Sequence, residues 1–409
     1  MSGSAGTTAQ GATARAKTAV ATTARAKAAG PETTRANVWV DRGRLELTRL
    51  PVPDPPPGGM LLEVTANGIC GTDLHFLGLR PTAPLVLGHE IVGRILAFGP
   101  GHPGTDADGL PLRTGDRVAL FPWLPCGRCW GCRRFGPGAT TCTDAFVYGI
   151  PPEAIGLPPG TAGNGPPTLT GGFGDHLAVR AGTYLWKVPD GVGDAVASLL
   201  DPLAVAVRSV TVARTATGTW DEVLTADSTA VVLGLGAVGL LTGLVLRQAG
   251  VGTVIGTGSR PARLAAARDL GFDTVLDTGA LDPAERRATV LDRTHGRGAD
   301  LVVDAASGPA AFNESMSLVR RLGTVVEVGN IVSDGTTVPV DPAADVCQRN
   351  VRLLGVSFNP PRSYAEAMAL LSRPDLPLER LITRAYPRER AADALRALSG
   401  DAVKLVLTP

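Results

Sequence analysis

The sequence predicts an α/β protein of two units, a β-rich, barrel-like domain and a doubly wound parallel sheet. Three observations carry that prediction. From Val38 on, short β-rich runs alternate with Gly/Pro turns. Near the middle, the apolar run Ala230–Leu233 leads into Gly234-x-Gly236-x-x-Gly239, and a helical pattern follows. Beyond it, strand-like and helix-like segments alternate almost to the end. A chain of 409 residues with 44% hydrophobic side chains has the length for two domains and enough apolar mass for their cores.

Residues 1–36 stand apart. They are rich in Ala, Thr, Gly, Lys and Arg, and Thr-Ala-Arg-Ala-Lys occurs at Thr13–Lys17 and again at Thr23–Lys27. Such a segment has little apolar surface to offset the entropy of ordering, so a disordered basic tail is expected. The composition also suits an organelle transit peptide, although a solvated tail is favoured. The tail carries Arg15, Lys17, Arg25, Lys27 and Arg35 against Glu32 alone, so the body is slightly acidic while the whole chain has a formal net charge of +1. That balance points neither to nucleic acid nor to an anionic membrane. No apolar signal-peptide run opens the chain, and four of the six cysteines crowd between Cys126 and Cys142. Metal ligation in a reducing, cytoplasmic setting is therefore expected over disulfides.

In the β-rich unit, strands are expected over Leu61–Thr65, Ile91–Ala97 and Arg117–Phe121. Gly68–Glu90 lies between the first two. It reads Gly-Ile-Cys-Gly-Thr-Asp-Leu-His, then an apolar run, then Gly-His-Glu. Cys70 and His89 are donors that zinc favours, and a catalytic zinc takes three protein ligands with one position left open. Thr72 and His75 bring a hydroxyl and an imidazole close to that position. Asp73 is placed to take the second N–H of His89.

Cys126-x2-Cys129-x2-Cys132 follows, with Cys142 after nine further residues. Three thiols at that spacing converge in a knuckle, and a fourth closes a tetrahedral shell. A closed shell leaves no open position, so its role is to hold a lobe. Disulfides between such close neighbours would be strained. The apolar flank Phe121-Pro-Trp-Leu-Pro, with no basic stripe, argues against a zinc ribbon for nucleic acid. Pro151–Gly174 is Pro/Gly-rich and is expected to be a long loop.

Gly234 makes a tight turn, Gly236 lets backbone approach a pyrophosphate, and Gly239 packs helix on strand, with Val238 at the head of that helix. The phosphates of a dinucleotide would sit at the helix N-terminus, where free N–H groups point. Ser228–Leu246 has no charge and the length of a membrane span, but its central glycines and amphipathic flanks favour strand–turn–helix. About 20 residues past the last glycine such a unit normally carries an acid for the ribose 2′-hydroxyl. Here Gly258 stands there, followed by Ser259 and Arg260. A 2′-phosphate is not repelled, and a hydroxyl and a guanidinium are suitable donors for it, so NADP is favoured over NAD. Helices are expected over Phe312–Leu322, Ser363–Leu371 and Ala391–Leu398. Strands are expected over Leu301–Asp304, Thr324–Val328, Val351–Val356 and from Lys404.

Gly-Ile-Cys-Gly-Thr-Asp-Leu-His followed by Gly-His-Glu, together with the cysteine spacing and the glycine fingerprint, resembles the zinc-dependent medium-chain alcohol and polyol dehydrogenases. The resemblance runs from about Val38 to the C-terminus. It implies a GroES-like catalytic domain, residues 37–200 and 357–409, around a Rossmann domain, residues 201–356. It also implies two zinc ions, one catalytic and one structural. Cys70 and His89 would bind the catalytic ion, with Glu90 beside it. The polyol branch has Glu-Pro where this chain has Asp201-Pro202, so Asp201 is expected at the metal, directly or through water. Cys126, Cys129, Cys132 and Cys142 would hold the structural ion. That family usually has seven residues before the last of them, so the longer loop leaves Cys142 the least secure.

Thr72 would take the hydroxyl proton of an alcohol, His75 would pass it to solvent, and hydride would go to the nicotinamide. Trp123 matches a position on the substrate-pocket wall, Arg263 one near the adenosine, and Gly329-Asn330 one where backbone meets nicotinamide. The family's dimers and tetramers imply a homo-oligomer. The expected reaction joins NADP(H), or NAD(H), to a secondary or cyclic alcohol or ketone, or a polyol. Two alternatives stay open: a C=C reductase on the same fold, which would generally lack both zinc sites, and a zinc-containing nucleotide-binding protein without turnover.

Overall fold

The structure is a computed structural model, and it describes residues 31–136, 142–156, 168–215, 224–332 and 335–409. The first strand, Thr33–Asp41, turns at Gly43 (φ 69°) and pairs antiparallel with Arg44–Pro51. This corrects the tail boundary, which composition put at residue 36. Thr34 and Ala36 are buried, and Arg35 is tied to Asp175 at 2.9 Å, so the last basic residue of the supposed tail is part of the fold. Of the rest of that segment, residues 1–30 lie outside the described residues.

A seven-stranded sheet forms the body of the β-rich domain. Its order is Leu185–Lys187, Arg117–Leu120, Glu90–Phe98, Met60–Ile69, Lys404–Thr408 and Ile382–Pro387, with His176–Val179 also pairing with Met60–Ile69. Two alignments in this sheet place the site. Met60–Ile69 runs antiparallel to Glu90–Phe98 with Gly68 opposite Glu90. The last strand, Lys404–Thr408, lies on the other side of Met60–Ile69 with Leu405 opposite Ile69. The C-terminus therefore returns to the N-terminal domain, as the resemblance implied. Gly68 is small for a reason: a Cβ there would sit 1.9 Å from Oε2 of Glu90 and 2.9 Å from Cε of Lys404.

The second sheet is six-stranded and parallel, in the order Thr274–Asp277, Thr253–Gly258, Thr229–Leu233, Ala299–Asp304, Val319–Glu327 and Arg352–Gly355. In sequence order the strands run 3-2-1-4-5-6, the doubly wound arrangement whose switch point lies beside the first strand. All five residues of Thr229–Leu233 are buried, as its unbroken apolar run requires of a central parallel strand. Ser228–Leu246 divides into this strand and the helix Ala237–Gln248. The apolar stretch Asp194–Thr215 is long enough to cross a membrane, but 67% of its apolar window is buried inside the protein, which marks a core helix.

Helix Leu200–Thr215 packs against Ala237–Gln248 and against Pro361–Leu371. One apolar core follows it across both units, joining Phe121, Trp123 and Trp186 to Leu203, Val232, Leu240 and Tyr364. The expected helix Phe312–Leu322 ends early. The helix is Pro309–Leu318, and Val319–Glu327 is already strand, with Val319 paired to Ala299. Tertiary pairing of a β-branched residue outweighs the helical pattern there. Of the long loop expected at Pro151–Gly174, residues 157–167 lie outside the described residues.

Candidate metal centre and coenzyme crevice

Cys70 caps the helix Gly71–Leu77, and Asp73 folds back so that Oδ2 accepts the Cys70 backbone N–H at 2.9 Å. The short helix therefore fixes Cys70 and places Thr72 and His75 on its successive turns. Glu90 opens the neighbouring strand Glu90–Phe98, and His89 immediately precedes it. The ligand atoms of Cys70, His89 and Glu90 all lie within 4.8 Å of one another. His89 Nδ1 is 3.6 Å from Asp73 Oδ1, longer than the expected hydrogen bond but an ion-pair distance.

Two residues not anticipated from sequence complete the centre. Lys404, 2% exposed, forms an ion pair with the Glu90 carboxylate and donates to the Ile69 carbonyl at 3.0 Å. The Tyr364 hydroxyl donates to Asp201 Oδ1. Asp201 was expected as the third ligand, yet it stands outside the three-residue cluster. It remains close enough for its charge to act on Glu90. Its backbone lies in the first turn of helix Leu200–Thr215, where the carboxylate is one methylene shorter than a glutamate.

The electrostatics are those of a cation site. Burial would lower the His89 pKa, but the Asp73 carboxylate and Cys70 hold it well above the usual histidine value. Burial raises Glu90, against the pull of Lys404. Burial and then the Asp201 charge raise Tyr364 well above the usual phenol value, so its hydroxyl stays a donor. Thr72 Oγ1 is buried with no hydrogen-bond partner, while His75 is exposed. Surroundings that favour an imidazolium at His89 favour a dication in its place, and a buried hydroxyl without a partner implies a polar ligand atom next to it.

The second cluster is local. The ligand atoms of Cys126, Cys129, Cys132 and Cys142 all lie within 4.8 Å of one another. Backbone N–H groups point at the sulfurs: Cys126 N to Cys142 Sγ at 3.3 Å, Cys129 N to Cys126 Sγ at 3.3 Å, and Cys132 N to Cys129 Sγ at 3.5 Å. The longer loop before Cys142, whose residues 137–141 lie outside the described residues, still delivers that thiol to the cluster.

The coenzyme fingerprint folds as its spacing demands. Gly234 has φ 86°, and a Cβ there would meet Ala306 backbone at 2.7 Å. A Cβ on Gly239 would lie 1.8 Å from the Gly234 carbonyl. At Gly236, the N-cap of helix Ala237–Gln248, a Cβ would meet only Arg263 Nη1, at 3.8 Å, so this backbone stands open to a ligand. Val238 lies in the first turn of that helix, half-buried. Gly258 ends its strand, Ser259 is exposed, and Arg260 caps helix Pro261–Asp269. Behind Gly329-Asn330, Glu327 Oε1 accepts both backbone N–H groups, at 3.0 and 2.9 Å, and Asn330 Nδ2 at 3.1 Å. Trp123 is buried with its ring 4.1 Å from that of Phe358.

Comparison with known proteins agrees with this geometry. Residues 56–190 match the alcohol dehydrogenase GroES-like domain, and residues 237–373 match the zinc-binding dehydrogenase domain. The chain is 32% identical over 377 residues to 5-exo-hydroxycamphor dehydrogenase of Pseudomonas putida, covering 90% of this chain and 96% of that one. This chain belongs to the zinc-dependent alcohol dehydrogenases of the medium-chain family. Sorbitol dehydrogenase of Bacillus subtilis is 28% identical over 388 residues, 93% of this chain and 98% of that one. Among solved structures, a zinc-binding dehydrogenase of Sinorhizobium meliloti bound to NADP superposes with a TM-score of 0.76 at 26% identity, covering 93% of this chain and 100% of that one.

This dehydrogenase is thus a zinc-dependent oxidoreductase that moves hydride between a nicotinamide coenzyme and an alcohol or its carbonyl product. Lys404 and Tyr364 escaped the sequence reading because each looks like an ordinary member of its element. The available signal was a lysine opening an otherwise apolar closing strand, since a lysine inside a sheet needs a partner.

Proposed function

We propose that this dehydrogenase prefers NADP(H) and acts on a secondary or cyclic alcohol, or on a polyol. The observation that carries the coenzyme reading is Gly258-Ser259-Arg260, a ribose end with no carboxylate of its own strand and with an arginine at the head of the next helix. The NADP-bound structural relative supports it. For the substrate, the names of the two relatives span a cyclic secondary alcohol and a sugar alcohol. An aromatic wall of Trp123 and Phe358 suits an apolar ring better than a bare polyhydroxyl chain.

Cys70, His89 and Glu90 would hold the catalytic zinc, with Asp201 as a second carboxylate kept at hand by Tyr364. When bound, zinc polarises the substrate oxygen and the nicotinamide takes up or gives the hydride. The protein's own part is orientation and proton movement. Thr72 Oγ1, buried and without a partner, accepts the substrate hydroxyl proton. His75, exposed at the end of the same short helix, carries that proton to solvent. Lys404 holds Glu90 in a fixed orientation. Glu327 shapes the Gly329-Asn330 turn, on which a bound nicotinamide would rest.

The four-cysteine cluster would hold a second, structural zinc. Its thiols form no disulfide among the described residues and suit a reducing compartment, which supports a cytoplasmic enzyme. Strand Arg352–Gly355 is an edge of the parallel sheet and leaves Leu353 45% exposed, which supports assembly into dimers or tetramers. Nicotinamide absorbance with NADP and then NAD, over secondary, cyclic and sugar alcohols, tests the reading. Turnover with NADP well above NAD is expected, and a clear preference for NAD would overturn the coenzyme assignment.

A further inference from the structure

The donors that a coenzyme 2′-phosphate would use are engaged by a turn from the other domain. Between helix Ala391–Leu398 and strand Lys404–Thr408 the chain turns through Ser399–Val403. Arg260 Nη1 donates to the Gly400 carbonyl and, at 3.3 Å, to that of Leu398. Arg263 Nε donates to the Ala402 carbonyl at 2.8 Å. Helix Pro261–Asp269 begins with a proline, so its first backbone donor is Ala262, and that N–H reaches both carboxylate oxygens of Asp401, at 3.1 and 3.2 Å. All the acceptors on the turn are oxygens, and one group carries a full negative charge.

These contacts bear on coenzyme choice because of where they lie. The strand that normally ends in a ribose-binding acid ends here in Gly258. A carboxylate is nonetheless present at the head of the next helix, supplied by Asp401 from the catalytic domain. The helix N-terminus favours that negative charge as it would favour a phosphate. Arg263 spans the same gap, with Nη1 beside Gly236 and Nε on the turn. Burial, followed by the nearby Arg260 charge, lowers Arg263 to about 10, with Asp401 opposing.

We propose that Asp401 is a specificity-determining residue for the coenzyme. Its carboxylate competes with the 2′-phosphate of NADP for the donors around Arg260 and Ala262, and so sets the NADP-to-NAD ratio below what Gly258-Ser259-Arg260 alone would give. This rests on the reading that the ribose end of the coenzyme lies at Ser259 and Arg260. NAD carries no charge that Asp401 must yield to, whereas a 2′-phosphate brings a like charge to the same donors.

The test is calorimetric binding of two coenzyme fragments, 2′,5′-ADP and 5′-AMP, to the zinc-loaded full chain and to Asp401→Asn and Arg260→Ala variants. Asparagine keeps an oxygen that can cap the helix, so the fold is retained. Asp401→Asn should bind 2′,5′-ADP about tenfold more tightly, with 5′-AMP nearly unchanged, on the scale of removing one nearby like charge. An unchanged ratio, or an equal shift for both fragments, overturns the proposal. Arg260→Ala separates the two readings. If it weakens 2′,5′-ADP selectively while Asp401→Asn changes nothing, the NADP preference stands and the role of Asp401 falls. If Arg260→Ala is unselective but Asp401→Asn still shifts the ratio, the NADP preference falls and Asp401 remains the discriminator.

Discussion

The two donor clusters of the catalytic domain differ most in where their surroundings come from. The four thiols lie within one short stretch, and the groups that tune them are mainly their own backbone. The N–H of Cys132 holds Cys129 down at about 6, while burial pushes Cys132 up to about 12. The ligands of that cluster come from one stretch of the chain, and the rest of the molecule adds only burial, through the core that Cys132 and Cys142 join. The mixed cluster is the reverse. Cys70 comes from a helix cap and His89 and Glu90 from the start of a neighbouring strand, and the Glu90 charge is balanced by Lys404 from the last strand. Tyr364 and Asp201, from two packed helices, stand behind them. A local, closed, all-thiol cluster is suited to hold a lobe. A cluster assembled from distant elements, with a hydroxyl left unpartnered beside it, is suited to do chemistry.

That contrast can be sharpened from the largest effect downward. Lys404→Met strands the Glu90 carboxylate in the interior, and losing one partner of a buried pair costs about 3–5 kcal/mol. Denaturant melts should show that loss in metal-free protein and a smaller loss with zinc bound, since the dication then offsets Glu90. An equal loss in both states would remove Glu90 from the metal set.

A buried acid set against a second acid calibrates this. Asp304 is fully buried beside Glu327, its partner on the adjacent strand, and burial, then the Glu327 charge, pushes it up to about 8. Below the usual carboxylate pKa, near 4, the folded and unfolded states both hold that proton. Between there and about 8 only the folded state holds it, so its contribution to stability is lost as pH rises through that window. Asp304→Asn should flatten this decline, by up to about 1.4 kcal/mol per pH unit. A variant whose stability falls with pH as steeply as the parent would contradict the raised pKa of Asp304.

What the sequence revealed follows from how local each feature is. The zinc knuckle, the glycine fingerprint and the Cys70–His75 segment were legible because their chemistry needs residue types at fixed short spacings. Both domains were legible from the switch between short β-rich runs and strand–helix alternation. Lys404, Tyr364 and Asp401 were not, because each acts on a partner well over 100 residues away and only the sheet register or a helix crossing brings the two together. The tail boundary was misjudged by composition, which cannot see that Thr34 and Ala36 face a sheet. Asp201 was expected at the metal, directly or through water, from its place in a motif, whereas the ligand atoms that gather within 4.8 Å are those of Cys70, His89 and Glu90.

The most direct test of the division between the clusters is to measure zinc content, turnover and melting temperature together in Cys70→Ala and Cys129→Ser. Cys70→Ala should lose one zinc and about three orders of magnitude or more in turnover, the scale of losing metal polarisation, while its melting temperature stays close to that of the parent. Cys129→Ser should lose the other zinc and several degrees or more of melting temperature, the molecules still folded keeping their turnover. Equal loss of stability in both variants, or turnover surviving in Cys70→Ala, would contradict the account.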